Sequence, residues 1–224
     1  MKSSVSCFVL VLFAVSASAQ EKYSLDVKDA APPKEVDAAI AKLMGPKAFL
    51  FKDSGGKIVA EVWIRAEVPS DGTAEQIKNG ITYREVKQTE LLGVVNFPAE
   101  WHDYRKQKVP AGAYTLRLAY QPMDGDHMGM GEFQDYALLL DASKDTSPKT
   151  LEKDALIKMS MASIKTGHPG VLMLVPTPAK GKDAEVVARP RNEWVLNVRR
   201  PITSGGKKAD ATFAIGLTLE GHAE

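Results

Sequence analysis

The densest run of chemistry-bearing side chains is Gln121-Pro122-Met123-Asp124-Gly125-Asp126-His127-Met128-Gly129-Met130-Gly131-Glu132. It places carboxylates, an imidazole and thioethers in a glycine-broken loop directly after a strongly alternating strand pattern, and loops held by rigid strands are where binding groups collect. Asp124, Asp126, Gly129 and Asp135 fall at positions one, three, six and twelve of a calcium loop. Met128 stands where an oxygen ligand belongs, however, and Asp135 replaces the bidentate glutamate. Copper is the better-matched metal: His127, Met128 and Met130, joined by His102 or His168 from elsewhere in the chain, supply the imidazole and thioether ligands that soft copper takes. Adjacent side chains on extended backbone point to opposite faces, so His127 and Met128 share a metal only if the loop curls. The third reading needs no metal: Asp124-Gly125 starts a tight turn, Asp126 caps it, and the methionines fill a core edge.

Outside this loop the chemistry is thinner. His102, in Glu100-Trp101-His102-Asp103, and His168, in Gly167-His168-Pro169-Gly170, are each placed to act as a general base, or to serve as a hydrogen-bonded turn residue. Arg189-Pro190-Arg191 and Arg199-Arg200-Pro201 bring guanidinium groups near Trp194. That grouping suits an anion or carbohydrate platform, or a core tryptophan with solvated edge arginines. The chain lacks a Gly-x-Ser-x-Gly elbow, a His-Glu-x-x-His helix, a phosphate loop ending Gly-Lys-Ser/Thr and a Gly-x-Gly-x-x-Gly turn. Those absences remove the common hydrolase, zincin, nucleotidase and dehydrogenase signatures. Glycosidases remain open, because their paired carboxylates leave no local spacing to read.

The N-terminus sets the compartment. Lys2, the apolar run from Val5 to Val15 and Ala17-Ser18-Ala19 form a signal peptide over residues 1–19, too short to span a bilayer. The protein is therefore expected in the periplasm or outside the cell. No second stretch has the length of a membrane span. Cleavage removes the single cysteine, Cys7, and with it any thiolate ligand, nucleophile or disulfide. It also lowers the 29 basic residues to 28 by removing Lys2, against 28 acidic ones, so the net charge becomes zero. Nucleic acid, whose phosphates call for a basic surplus, is not an expected partner.

The elements that hold these residues are mostly strands. Residues 20–32 are polar, end in Ala30-Ala31-Pro32 and read as an extended lead-in. Val36, Ile40, Leu43 and Met44 then recur at helical offsets behind Pro33, with Gly45 as a stop. Ile58, Ala60, Val62 and Ile64 alternate with polar residues, and Asp53-Ser54-Gly55-Gly56 joins them to Ala48–Phe51 as a hairpin. Further runs cover 91–97, 114–120, 136–140, 171–175, 194–198 and 213–219, with a hairpin loop at 204–208. A second helix is expected with Ser147 as its cap, Pro148 in its first turn and Leu151, Ala155 and Met159 on its buried face.

Strands without regular strand-helix alternation favour a mainly β, antiparallel β-sandwich of jelly-roll or Ig-like type, with one or two short helices, as a single domain over 33–224. In Lys108-Val109-Pro110-Ala111-Gly112-Ala113-Tyr114-Thr115-Leu116-Arg117 and Pro122-Met123-Asp124-Gly125-Asp126-His127-Met128-Gly129, the chain resembles uncharacterised secreted proteins of environmental bacteria, over roughly Leu91 to Pro176. The resemblance implies bacterial export and brings no established activity. The functional expectation is an exported, non-catalytic binding or interaction module of unknown ligand, with the 123–132 loop as its ligand-facing element and metal binding there as the sharper form of the same reading. Its partner would be a small ligand, a metal ion or an extracytoplasmic protein. An extracellular carbohydrate-active hydrolase is the alternative.

Overall fold

The computed structural model describes residues 22–122, 125, 131–178 and 180–222, so the expected signal peptide lies outside the described residues. In chain order the elements are β1 (Tyr23–Asp29), α1 (Ala38–Ala41), β2 (Lys47–Asp53), β3 (Ile58–Ile64), β4 (Val68–Pro69), α2 (Ala74–Asn79), β5 (Leu91–Phe97), β6 (Trp101–His102), β7 (Lys108–Val109), β8 (Gly112–Tyr120), β9 (Asp135–Asp141), α3 (Lys153–Ile164), β10 (Val171–Val175), β11 (Ala184–Arg189), β12 (Glu193–Ser204) and β13 (Lys207–Glu220). Short 3-10 turns lie at Tyr83–Glu85 and Pro190–Asn192. The fold is mainly β, as the alternation predicts.

The strands form a curled sheet in the order β1-β2-β3-β5-β8-β9-β10-β13-β12-β11, with β4 added in parallel to β12. All neighbours along that path are antiparallel, and the part from β1 to β10 is a half-barrel. Curling brings the far end back to the start. Tyr23 of β1 stacks on Phe51 at 4.6 Å and meets Trp194 of β12 edge-on at 5.4 Å. One large apolar cluster fills the concave side, drawing Val62, Leu116, Leu139, Leu174, Leu196 and Leu217 from six strands.

The hairpin between β12 and β13 turns through Gly205 and Gly206, whose φ values of 56° and 76° are open to glycine at no steric cost. The segment read as a lead-in is β1, paired along its whole length with β2. Its Tyr23, Leu25 and Val27 alternate with Ser24, Asp26 and Lys28, a strand pattern in a polar setting.

Both expected helices differ in extent. The first has only four helical residues, although Val36, Ile40 and Met44 are buried as the spacing predicts, against Trp63 and Val94 on the convex face. It stops early because Met44 bridges to Arg65 and the Gly45 N–H donates to the Ile64 carbonyl, so the chain changes from helix to sheet pairing. The later helix starts at Lys153 rather than beside Ser147, and buries Leu156, Ser160 and Ile164 instead of Leu151, Ala155 and Met159. Ser147 cannot act as its cap. The Ser147 and Lys149 carbonyls accept hydrogen bonds from Arg117, which holds this stretch in a loop over β8. A third helix, α2, carries a reciprocal Thr73–Gln76 capping box.

Candidate functional site

Asp124, Asp126, His127, Met128 and Met130 lie outside the described residues. What holds the loop is clear: it joins β8 to β9, and its base is the Tyr120–Asp135 pair, reinforced by Gln121 N–H donating to the Gln134 carbonyl at 2.8 Å. Asp135, assigned above to the last calcium position, stands 3.1 Å from the Arg84 guanidinium, and Arg84 also lies over the Tyr120 ring at 4.2 Å. Burial pushes the Asp135 carboxyl up, partly offset by Arg84. The returning arm is tied by Glu132, which accepts from Arg189 at 3.1 Å and Arg191 at 3.0 Å.

Those two arginines therefore serve a network within the protein. Both also reach Glu193, at 3.5 and 3.3 Å, and Glu193 in turn accepts from the Tyr104 hydroxyl at 3.0 Å. Trp194 packs on Tyr23, while Arg199 donates to the Lys182 and Pro178 carbonyls. Arg200 lies over Phe49 and donates to the Arg199 carbonyl. The grouping read as a candidate platform is thus a set of internal ties. His102 is exposed on β6, and His168 is exposed in the turn after α3. Among the described residues, no three His, Cys, Asp or Glu side chains come together in a set that could hold a metal.

The feature that does assemble is an apolar cavity of ≈ 430 Å³ on the convex side of the sheet. Its floor comes from outward-facing Ala119, Leu138 and Val171 of β8, β9 and β10, and α3 contributes Leu156, Ile157 and Met161 as a wall. The sequence builds this floor because β9 and β10 are apolar at every position from Tyr136 to Leu140 and from Val171 to Val175. Such runs mark strands covered on both faces, unlike the alternating β3. The opposite wall is Tyr104 and Tyr136, with Arg105, Lys153 and His168 also facing the cavity.

Asp103 positions that second wall. β13 pairs with β10 only at Leu174 and Val175, which leaves the backbone of Val171 open on that edge. The Val171 N–H donates to Asp103 Oδ2 at 3.0 Å and its carbonyl accepts from the Tyr104 N–H at 3.0 Å. The same carboxylate accepts from the Arg105 N–H, the Gln107 N–H and Gln107 Nε2 at 2.8–2.9 Å, so a fully buried side chain fixes the turn that presents Tyr104 and Arg105. Burial pushes this carboxyl above 3.8, outweighing the hydrogen bonds that pull it down.

A raised carboxyl pKa means that folding takes up a proton. The contribution favours the folded state in acid and fades as pH rises through the folded pKa. Asp103→Asn presents an amide NH₂ to N–H donors and is expected to cost about 2 kcal/mol. Urea unfolding across the acid range should show the wild-type advantage over this variant shrinking as pH rises. A gap that widens with pH would contradict the assignment.

Comparison with protein-family models, curated proteins and solved structures gives no match for this chain. Fold and site together define a mainly β protein with a curled antiparallel sheet and a small apolar cavity between that sheet and one helix. None of Asp103, Tyr104, Arg105, Tyr136 and Lys153 was singled out from sequence as a site residue. The available signals were the unbroken apolar runs of β9 and β10, which call for a covering element.

Proposed function

We propose that this is an exported, non-catalytic binding protein whose ligand is a small, largely apolar molecule held between α3 and the convex face of β8, β9 and β10. The cavity carries the reading. Its ≈ 430 Å³ volume lies inside the range of about 300–1,000 Å³ that small-molecule sites occupy, and its walls are apolar with a few polar groups among them. In the same reading the two halves of the curled sheet act as the layers of a sandwich around the concave core, leaving the convex face for binding. Export rests on the N-terminal sequence and on the resemblance to secreted bacterial proteins. Among the described residues no helix is long and apolar enough to cross a membrane. No carboxylate stands among the described residues lining the cavity, so hydrolysis by a carboxylate pair gains no support there.

Titration with the neutral apolar fluorophore N-phenyl-1-naphthylamine tests the proposal. One saturable site per chain is expected, and Ile157→Trp, which puts an indole into the cavity from half-buried Ile157, should weaken binding at least roughly tenfold, or about 1.4 kcal/mol. Val187→Ser, at an exposed residue of β11, should leave it unchanged. Binding that is absent, or indifferent to Ile157→Trp in a variant with native circular dichroism, would sink the reading.

A further inference from the structure

Among the described residues, the side chains of fixed charge that line the cavity are both cationic, Arg105 and Lys153. Arg105, Lys153 and His168 line it and no Asp or Glu does, among the described residues. Arg105 also differs from the chain's other arginines. Arg65, Arg84, Arg117, Arg189 and Arg191 each pair with a carboxylate, and Arg199 and Arg200 donate to backbone carbonyls. The Arg105 guanidinium has no such partner among the described residues, although its backbone N–H is fixed by Asp103. Lys153 and His168 likewise enter no ion pair among the described residues. The nearby buried carboxylates do not compete for Arg105: Asp103 is filled by N–H donors, and Glu193 is held by Arg189, Arg191 and Tyr104.

From this we infer that the ligand is an amphipathic carboxylate, with its apolar body against Leu138, Leu156 and Met161 and its anionic head on the Arg105 guanidinium. The inference rests on the cavity being the binding site. A guanidinium fork matches a planar carboxylate with two parallel N–H bonds, and the low-dielectric walls strengthen that attraction relative to water. Lys153 adds positive charge near the head, and the body is left to the apolar floor.

The test compares three probes that share one tail: decanoate, decan-1-ol and decyltrimethylammonium, each displacing N-phenyl-1-naphthylamine from the full chain. Decanoate should bind at least roughly tenfold more tightly than decan-1-ol, as a charge-assisted hydrogen bond implies. Arg105→Gln should remove that preference, read as the ratio of decanoate to decan-1-ol affinity falling to within about twofold of one. The wild-type comparison stands without the variant. Equal affinity for acid and alcohol, or tightest binding of the ammonium, would overturn the carboxylate while leaving the cavity reading intact. A decanoate preference that survives Arg105→Gln would overturn the role of Arg105. If no probe binds and Ile157→Trp changes nothing, both readings fall.

Discussion

Asp145→Ala is expected to remove about 3–5 kcal/mol of folding stability, among the largest losses available to a single substitution in this chain. Arg117 sits in the middle of β8, fully buried together with its partner. Its Nε donates to Asp145 Oδ2 at 2.7 Å and Nη2 to Oδ1 at 2.9 Å, a bidentate pair to which Thr115 adds a third hydrogen bond at 2.6 Å. The remaining donors go to the Thr89 and Lys149 carbonyls at 3.0 and 2.8 Å, and to the Ser147 carbonyl. No donor of the guanidinium is left over, and its charge has one counter-charge.

Removing that carboxylate strands a cation in the protein interior, and this is what makes breaking a buried pair costly. The loss should reach beyond the pair. Thr89 is a β-branched residue at φ 70°, a left-handed conformation that such residues rarely adopt. It is held there by Arg117, by the Leu118 carbonyl and by a two-way tie to Leu151 just before α3. Thermal unfolding of Asp145→Ala should fall by roughly 10 °C for a chain of this size. Replacing both partners together, as Arg117→Met with Asp145→Leu, should recover much of the loss. A single substitution costing under about 1 kcal/mol would show that water reaches the pair.

The residues involved explain how far the sequence could be read. Period-two alternation places β3 and β8, and short apolar runs place β5 and β10, because each covers its concave face with aliphatic residues, and that signal is local. Alternation by itself says only that Arg117 faces away from Leu116 and Leu118. Its flanks, Leu116 and Leu118, and the apolar stretch up to Ala119 instead mark a strand covered on both faces, where an arginine needs a partner. That partner lies in a loop near α3, and no spacing rule points to it.

The phase of α3 was missed for a related reason. Leu151, Ala155, Leu156, Ile157, Met159, Met161 and Ile164 offer apolar residues at several helical offsets, so periodicity allows more than one buried face. Arg117 settles the choice by holding the Ser147 and Lys149 carbonyls out of the helix. The cavity inherits this non-locality. Its walls come from β8, β9, β10, α3 and the turn after β6, segments that the chain order does not group. A scan for clustered ligands therefore stops at the 123–132 loop, where charge and sulfur are adjacent in sequence.

Tyr83 should give the second large effect, with two substitutions separating its parts. It enters the concave core from a 3-10 turn, packs edge-on against Phe213 at 5.0 Å, and reaches the place where β10 and β13 are joined by only two residue pairs. There its hydroxyl accepts from the Gly216 N–H at 2.9 Å and donates to the Val175 carbonyl at 3.4 Å, acting as an extra rung between the two strands. Tyr83→Ala should cost about 3–5 kcal/mol through the cavity left by the ring. Tyr83→Phe keeps the ring but leaves the Gly216 N–H buried without that acceptor, for about 1–3 kcal/mol.

Alkaline titration distinguishes the hydroxyl's role from simple packing. Burial holds the Tyr83 phenol above its ordinary value of 10.0, so the folded state prefers the neutral form. The resulting stability is complete below pH 10.0 and declines as pH rises toward the folded pKa, because the unfolded chain ionises first. Tyr83→Phe lacks this group and should show a shallower alkaline decline. Some decline will remain, since Tyr23 and Tyr114 are also raised, each to about 12, by burial. Parallel stability curves for wild type and Tyr83→Phe above pH 10 would mean that water reaches the phenol, and the junction between β10 and β13 would then need another source of cohesion.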